Sequence, residues 1–386
     1  MNTMNYLKRT VLGISVLTVL FTGCKKNNER EILLTQEVTG VKGIYVLNEG
    51  TMGAGNSTIS YYDVAKKTVV NDFYKQANGS DKKLGETAND LKVYGSKMYC
   101  AILGDQTTGG SFVEVMDVNT GKTLKRIAFG TATNGYMPRS IAFHKNKAYI
   151  SRVDGKISRI DTTSLNVEAE LQLKNGTDDA AGLDGSAVVG DKLYIAGSDY
   201  YGRPTSYKNK VIVVNLTTFT KVKEITVNNN PNKIVANDKG ELFVTTAGVY
   251  GGAPSALQKI NTSTDEVSST ENTTDLGSIA FYKDQAWTVT NAYVAGTASA
   301  KSINVATGKI GNNLITDGTV VSLPYGLTVN PYDQSIVVSD AIGFGTAKGK
   351  AFVFSKEGKK LHEFETGTGP QVAAFVYTYK YVYKSL

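Results

Sequence analysis

The chain reads as an all-β protein, a seven-bladed β-propeller of four-stranded antiparallel blades closed by its C-terminal strand. Three observations carry this. A unit of about 47 residues recurs along the 386-residue sequence. Each unit holds short apolar runs at strand spacing, with no helical periodicity between them. The sequence also ends on QVAAFVYTYKYVYKSL, which has the form of a blade's opening strand with no blade after it.

First-strand centres fall at Leu91, Ile141, Val188, Ile234, Ile279, Leu327 and Ala373. Two stretches show the unit plainly: RSIAFHKNKAYISRVDGKISRIDTTSLNVEAELQL from Arg139, and NKIVANDKGELFVTTAGVY from Asn232. The first blade begins at GIYVLNEG and lacks its own apolar opening strand, so the C-terminus is expected to supply it and join the ring. Closure removes sheet edges that would otherwise template aggregation. The YVYKS segment could instead pair as a further strand, and eight blades is the alternative.

Within the strands, both faces are apolar, as stacked sheets require. In VEVMDV, Val113, Val115 and Asp117 face one neighbour while Glu114, Met116 and Val118 face the other. Aromatics recur at one position per blade in KMYC, KAYI, KLYI, ELFV and QAWT, so Trp287 reads as core packing rather than a ligand-stacking platform. Asp or Asn opens the turn in DVNTGK, DTTSLN, NLTTFT, NTSTDE and NVATGK, where its side chain caps the backbone of a tight connection.

Residues 1–23 read as an address. Lys8 and Arg9 precede the apolar run Val11–Phe21, which is too short to span a bilayer, and Thr22-Gly23 precede Cys24. LFTGC resembles a lipoprotein signal with Cys24 as the lipidated residue. Residues 24–42 are polar and are expected to form a flexible tether, with the propeller over 43–386. Cys100, in an apolar strand, is expected to be an inert buried thiol. The net charge of +7 is scattered without like-charge blocks, which argues against a nucleic-acid groove.

Signals for catalysis are sparse. His144 and His362 lie beside turns and read as surface residues, and no HExxH, GxSxG or phosphate-binding loop occurs. The expectation is a non-enzyme without cofactor or metal. The informative variation is in the links between the second and third strands of each blade. Blade three crosses in SRVDGK, whereas the others carry NEGTMGAGNS, LGDQTTGGS, GSDYYGRPTSYKN, TAGVYGGAPSA, TNAYVAGTASA and SDAIGFGTAKGK. In a propeller these links share a rim with the inter-blade connections, so they form one loop-rich face. Candidate ligand-binding residues there are Glu49, Asp90, Tyr136, Arg139, Tyr200, Tyr201, Arg203, Tyr250, Tyr293, Tyr325 and Phe344. Glu49 and Asp90 would orient polar groups, and the aromatics would supply rigid contact area.

GIYVLNEG with NSTISYYD, then PRSIAFHKNKAYISRVDGKISRIDTTSL and NKVIVVNLTTFTKVKEI, resemble the YncE-type propeller lipoproteins of Bacteroidota outer surfaces. That family includes the BtuG-type proteins, which capture cobalamin and pass it to a TonB-dependent outer-membrane barrel. The resemblance implies a lipid-anchored, ligand-capturing role at the outer membrane, with a corrinoid as one ligand class and such a barrel as partner. The alternative is a protein-interaction or adhesion propeller with no small-molecule ligand.

Overall fold

A computed structural model describes residues 32–385, apart from 105–109, 130–137, 176, 199–207, 250 and 344–346. Seven four-stranded antiparallel sheets are present. In blades two to seven the strands run outward in chain order. Their innermost strands are Ala88–Tyr94, Pro138–His144, Leu183–Val189, Pro231–Ala236, Ile279–Tyr282 and Pro324–Val329. Proline opens three of these and the C-terminal strand, a first-residue position where its missing N–H costs the ladder nothing.

Blade one is composite. Its innermost strand is the C-terminal Pro370–Ser385, paired to Ile32–Asn48, followed by Thr58–Asp63 and Thr68–Val70. The ring is closed as the sequence predicts, with Ile44 opposite Phe375 and Tyr45 opposite Ala374. YVYKS continues this strand and pairs with the residues that precede blade one, so it starts no eighth blade. The segment expected to be a tether is therefore strand from Ile32 onward. Its alternation is weak because that part of the ribbon stands clear of the core and buries neither face.

Apolar clusters fill the spaces between blades in turn. Val113 and Val115 pack with Ile141 and Ile150 of blade three, whereas Met116 and Val118 pack with Tyr45 and Leu47 of blade one. The last cluster sets Val337 and Val353 of blade seven against Val46, Tyr62 and Phe375 of blade one. Trp287 is buried between blades six and seven, and Cys100 is wholly buried, which pushes its thiol pKa well up. The turn carboxylates and amides behave as expected: Asp117 and Asp161 each accept backbone N–H groups two and three residues on.

Three local features depart from the sequence reading. Although no helical periodicity marks it, a short helix, Phe73–Asn78, follows the outer strand of blade one, capped by Asp72, which accepts the Lys75 N–H at 3.0 Å. His144 is mostly buried, with Nε2 2.8 Å from Asp191 Oδ1 in the next blade. His362 is half-buried and stacks on Tyr62, and burial holds its pKa below the usual imidazole value.

Around the central channel, side-chain bonds among the described residues tie neighbouring innermost strands at four of the seven junctions. Backbone N–H groups of Ile141, Ser186, Leu327 and Ala373 donate to side-chain oxygens of Asp90, Ser140, Ser278 and Thr328 in the preceding blade. Where glycine replaces such a side chain, the backbones approach directly: a Cβ on Gly326 would overlap the carbonyl oxygen of Gln371. Gly326→Ala is therefore expected to lose about 1–3 kcal/mol of stability in urea unfolding. A second expectation concerns pH. Burial pushes the Tyr99 hydroxyl up to about 12, and that hydroxyl has no hydrogen-bond partner among the described residues. The folded chain keeps a proton that the unfolded chain releases near pH 10, so stability should fall as pH rises from about 10 to 12. Tyr99→Phe should be near neutral at pH 7 and should shrink that alkaline loss, read from urea midpoints against pH.

Candidate functional site

Links between second and third strands all leave the same side of the ring. Backbone bonds join each to an inter-blade connection: Glu49 N–H to Gly369 at 2.8 Å, Leu103 to Thr87 at 3.0 Å, Ala247 to Asn230 at 2.9 Å and Ala292 to Asp275 at 2.9 Å. Ser198 donates to Gly182 at 2.7 Å and Ala341 to Leu323 at 3.0 Å. In blade three, Val153 accepts from Gly182 at 2.7 Å. The long loops expected to share a rim are anchored on one.

Inside that rim the channel encloses a cavity of about 1220 Å³ that runs through to Tyr94, Val118 and Tyr379 at the opposite face. Its mouth is set by one register position. The second residue of the innermost strand is Asn89, Arg139, Asp184, Asn232, Tyr325 and Gln371 in six blades, and Gly277 occupies the equivalent place just before the strand of blade six. All seven line the cavity, together with Glu49 and Tyr293 from the loops. Below them Leu91, Ile234, Ile279 and Leu327 make an apolar throat.

Two hydrogen-bonded groups divide this ring. Arg139 spans from Asn89 to Asp184, with its guanidinium 3.2 and 3.3 Å from the two Asp184 carboxylate oxygens and its other nitrogen donating to the Asn89 amide oxygen. Both charged side chains are more than nine-tenths buried. The pair is neutral to an approaching ligand and holds Asn89 in place. Across the mouth the Tyr325 hydroxyl donates to Glu49 Oε2 at 2.6 Å, and the Gln371 amide donates to the same oxygen. Asn232 accepts from Thr245 Oγ1 at 2.6 Å, next to the gap left by Gly277. Tyr293, half exposed on the blade-six loop, lies on the rim of the same cavity.

Of the residues singled out from sequence, Glu49, Arg139, Tyr293 and Tyr325 come together here. Asp90 also lines the cavity, but it is buried and spends its carboxylate on the Ile141 N–H at 2.9 Å. It ties blades together rather than orienting a ligand. Tyr136, Tyr200, Tyr201, Arg203, Tyr250, Phe344 and Cys24 lie outside the described residues. Asn89, Asp184, Asn232 and Gln371 were missed. Aligning the seven opening strands would have found them, since each is one column of that alignment.

The family model for a domain of unknown function, DUF5074, matches residues 42–382. The chain belongs to this family. No curated protein matches its sequence. Solved structures similar to it include Kuenenia stuttgartiensis hydrazine synthase, at TM-score 0.54 and 13% identity over 75% of this chain and 93% of that one. The Neurospora crassa Pan2 WD40 domain gives 0.52 and 11%, covering 74% and 80%. A chain of a mitotic checkpoint complex gives 0.53 and 11%, covering 87% and 97%. At these identities the DUF5074 chain shares a propeller fold with them.

Chemically, the mouth offers amides, the two phenols of Tyr325 and Tyr293 and the Glu49 carboxylate over an apolar throat. Among the described residues no group of three or more His, Cys, Asp or Glu converges to hold a metal ion. Arg139→Leu is expected to cost about 3–5 kcal/mol, because it strands the buried Asp184 carboxylate. The double variant R139L/D184L should recover most of that loss, measured by urea unfolding of both proteins.

Proposed function

We propose that this DUF5074 protein is a surface lipoprotein, anchored through Cys24, that captures a broad and largely neutral ligand at the channel mouth. A corrinoid is the ligand class that fits best, with a TonB-dependent outer-membrane barrel as the recipient. What carries this reading is the convergence of all seven loop systems on one rim around a mouth built from Asn232, Tyr325 and Gln371. A corrinoid is wide and carries peripheral amides, so it asks for many neutral donors and acceptors spread over a ring rather than a strong charge. The internal neutralisation of Arg139 by Asp184 supplies such a surface.

Calorimetric titration of the protein with cyanocobalamin tests this. Binding is expected, with Asn232→Ala and Gln371→Ala each weakening affinity by roughly tenfold, the worth of about one well-made hydrogen bond. Absence of heat together with an unshifted melting temperature removes corrinoids from the account.

A second reading, a protein-docking face, is favoured by Met52, Val249, Val294 and Ile342, which stand exposed on the loops of four different blades at the same rim. Such residues are what an interface core uses. A pull-down from outer-membrane extract that recovers a barrel without added ligand supports docking. Recovery that needs cyanocobalamin supports hand-over.

A further inference from the structure

From the face opposite the loops, the chain ends leave the ring as a two-stranded antiparallel ribbon. Ile32–Val38 pairs with Tyr379–Ser385, beyond the level where blades two to seven make their first turns. Seven residues of strand reach about 23 Å. Alternation puts Tyr379, Tyr381 and Tyr383 on one face, where they are 53%, 65% and 74% exposed. Cross-strand register sets Val38 and Gln36 beside the first two. The other face carries the Glu37–Lys380 ion pair, 3.5 Å apart. One side of the ribbon is thus aromatic and free of charge, lining the end of the channel at Val38 and Tyr379 and most exposed at Tyr381 and Tyr383.

The N-terminal end of the ribbon leads into residues 1–31, which hold the apolar run Val11–Phe21 and Cys24. Eight residues from Cys24 to Ile32 span at most about 28 Å, so a lipid on that cysteine sits within reach of the ribbon tip. We infer that the tyrosine face of the ribbon rests on the lipid headgroup layer and holds the channel mouth pointing away from the membrane. Tyrosine suits that depth because its ring enters the boundary while its hydroxyl stays hydrated. This inference rests on the anchoring half of the proposed function and is independent of the ligand; it describes the outward-facing, capturing state, and hand-over to a barrel in the same membrane requires the ribbon to leave the headgroups.

The test uses the full chain reconstituted into phosphatidylethanolamine–phosphatidylglycerol vesicles, with Tyr381→Trp and Tyr293→Trp as separate reporters. The native Trp287 is buried in the core, so its emission is subtracted from the unsubstituted protein. The expected result is flotation with the vesicles and a blue-shifted Y381W emission. Headgroup-labelled lipid should quench it more strongly than lipid labelled deep in the acyl chain, and Y293W should stay unquenched. Flotation with unquenched Y381W overturns the ribbon contact alone and leaves anchoring intact. Failure to float overturns both. A Y381W blue shift that depends on protein concentration without vesicles assigns the stripe to a second copy of the chain and also overturns it.

Discussion

Everything in this molecule depends on the pairing of its two ends. A propeller blade cannot bury its apolar faces alone, and each of the seven sheets here gains its packing from two neighbours. Blade one is the place where that scheme needs two distant segments at once. Residues 43–48 supply the second strand and Pro370–Ser385 the innermost, across more than three hundred residues of chain. Without the C-terminal strand, blade one loses Ala373 and Phe375 from the cluster it shares with blade seven, and Ala374 and Val376 from the one it shares with blade two. The mouth loses Gln371, and with it one of the two groups that fix Glu49. Closure is therefore the condition for the binding face as well as for the fold.

The architecture was legible because each repeat carries its own punctuation. The buried aromatics Tyr99, Tyr149, Tyr194, Phe243 and Trp287 occupy one place per blade, and the Asp or Asn turns mark where the third strand ends. What escaped notice were features set by context rather than by period. Asp72 starts a helix that is too short to show helical periodicity. Ile32–Thr39 has the composition of a linker and becomes strand only because Tyr379–Ser385 lies beside it. In blade four Ser186, not Val188, is the counterpart of Ile141, since Ser186 pairs with Ile195 as Ile141 pairs with Ile150, and a serine there interrupts the apolar run.

The site was half legible for a related reason. Long loops announce a functional face, and their Tyr and Glu residues were natural choices. The ring beneath them comes from polar residues at the start of strands, a place where Asn and Gln look like ordinary strand-entry residues. Only their shared register makes them a set. Asp90 shows the converse, since a carboxylate at the channel wall can hold the next blade through one oxygen and face a lysine of its own strand through the other. Polar residues at the mouth consequently divide into those that hold the ring together, Asn89 with its donation to the Pro138 carbonyl at 3.2 Å among them, and those less buried, such as Asn232 and Gln371.

The central claim is that the C-terminal strand closes the ring, and truncation tests it most directly. A chain ending at Gly369 should lose the single cooperative thermal transition of the intact protein, and a peptide of residues 370–385 added in trans should restore it. A truncated chain that melts cooperatively at the temperature of the intact protein, with or without the peptide, would contradict the account.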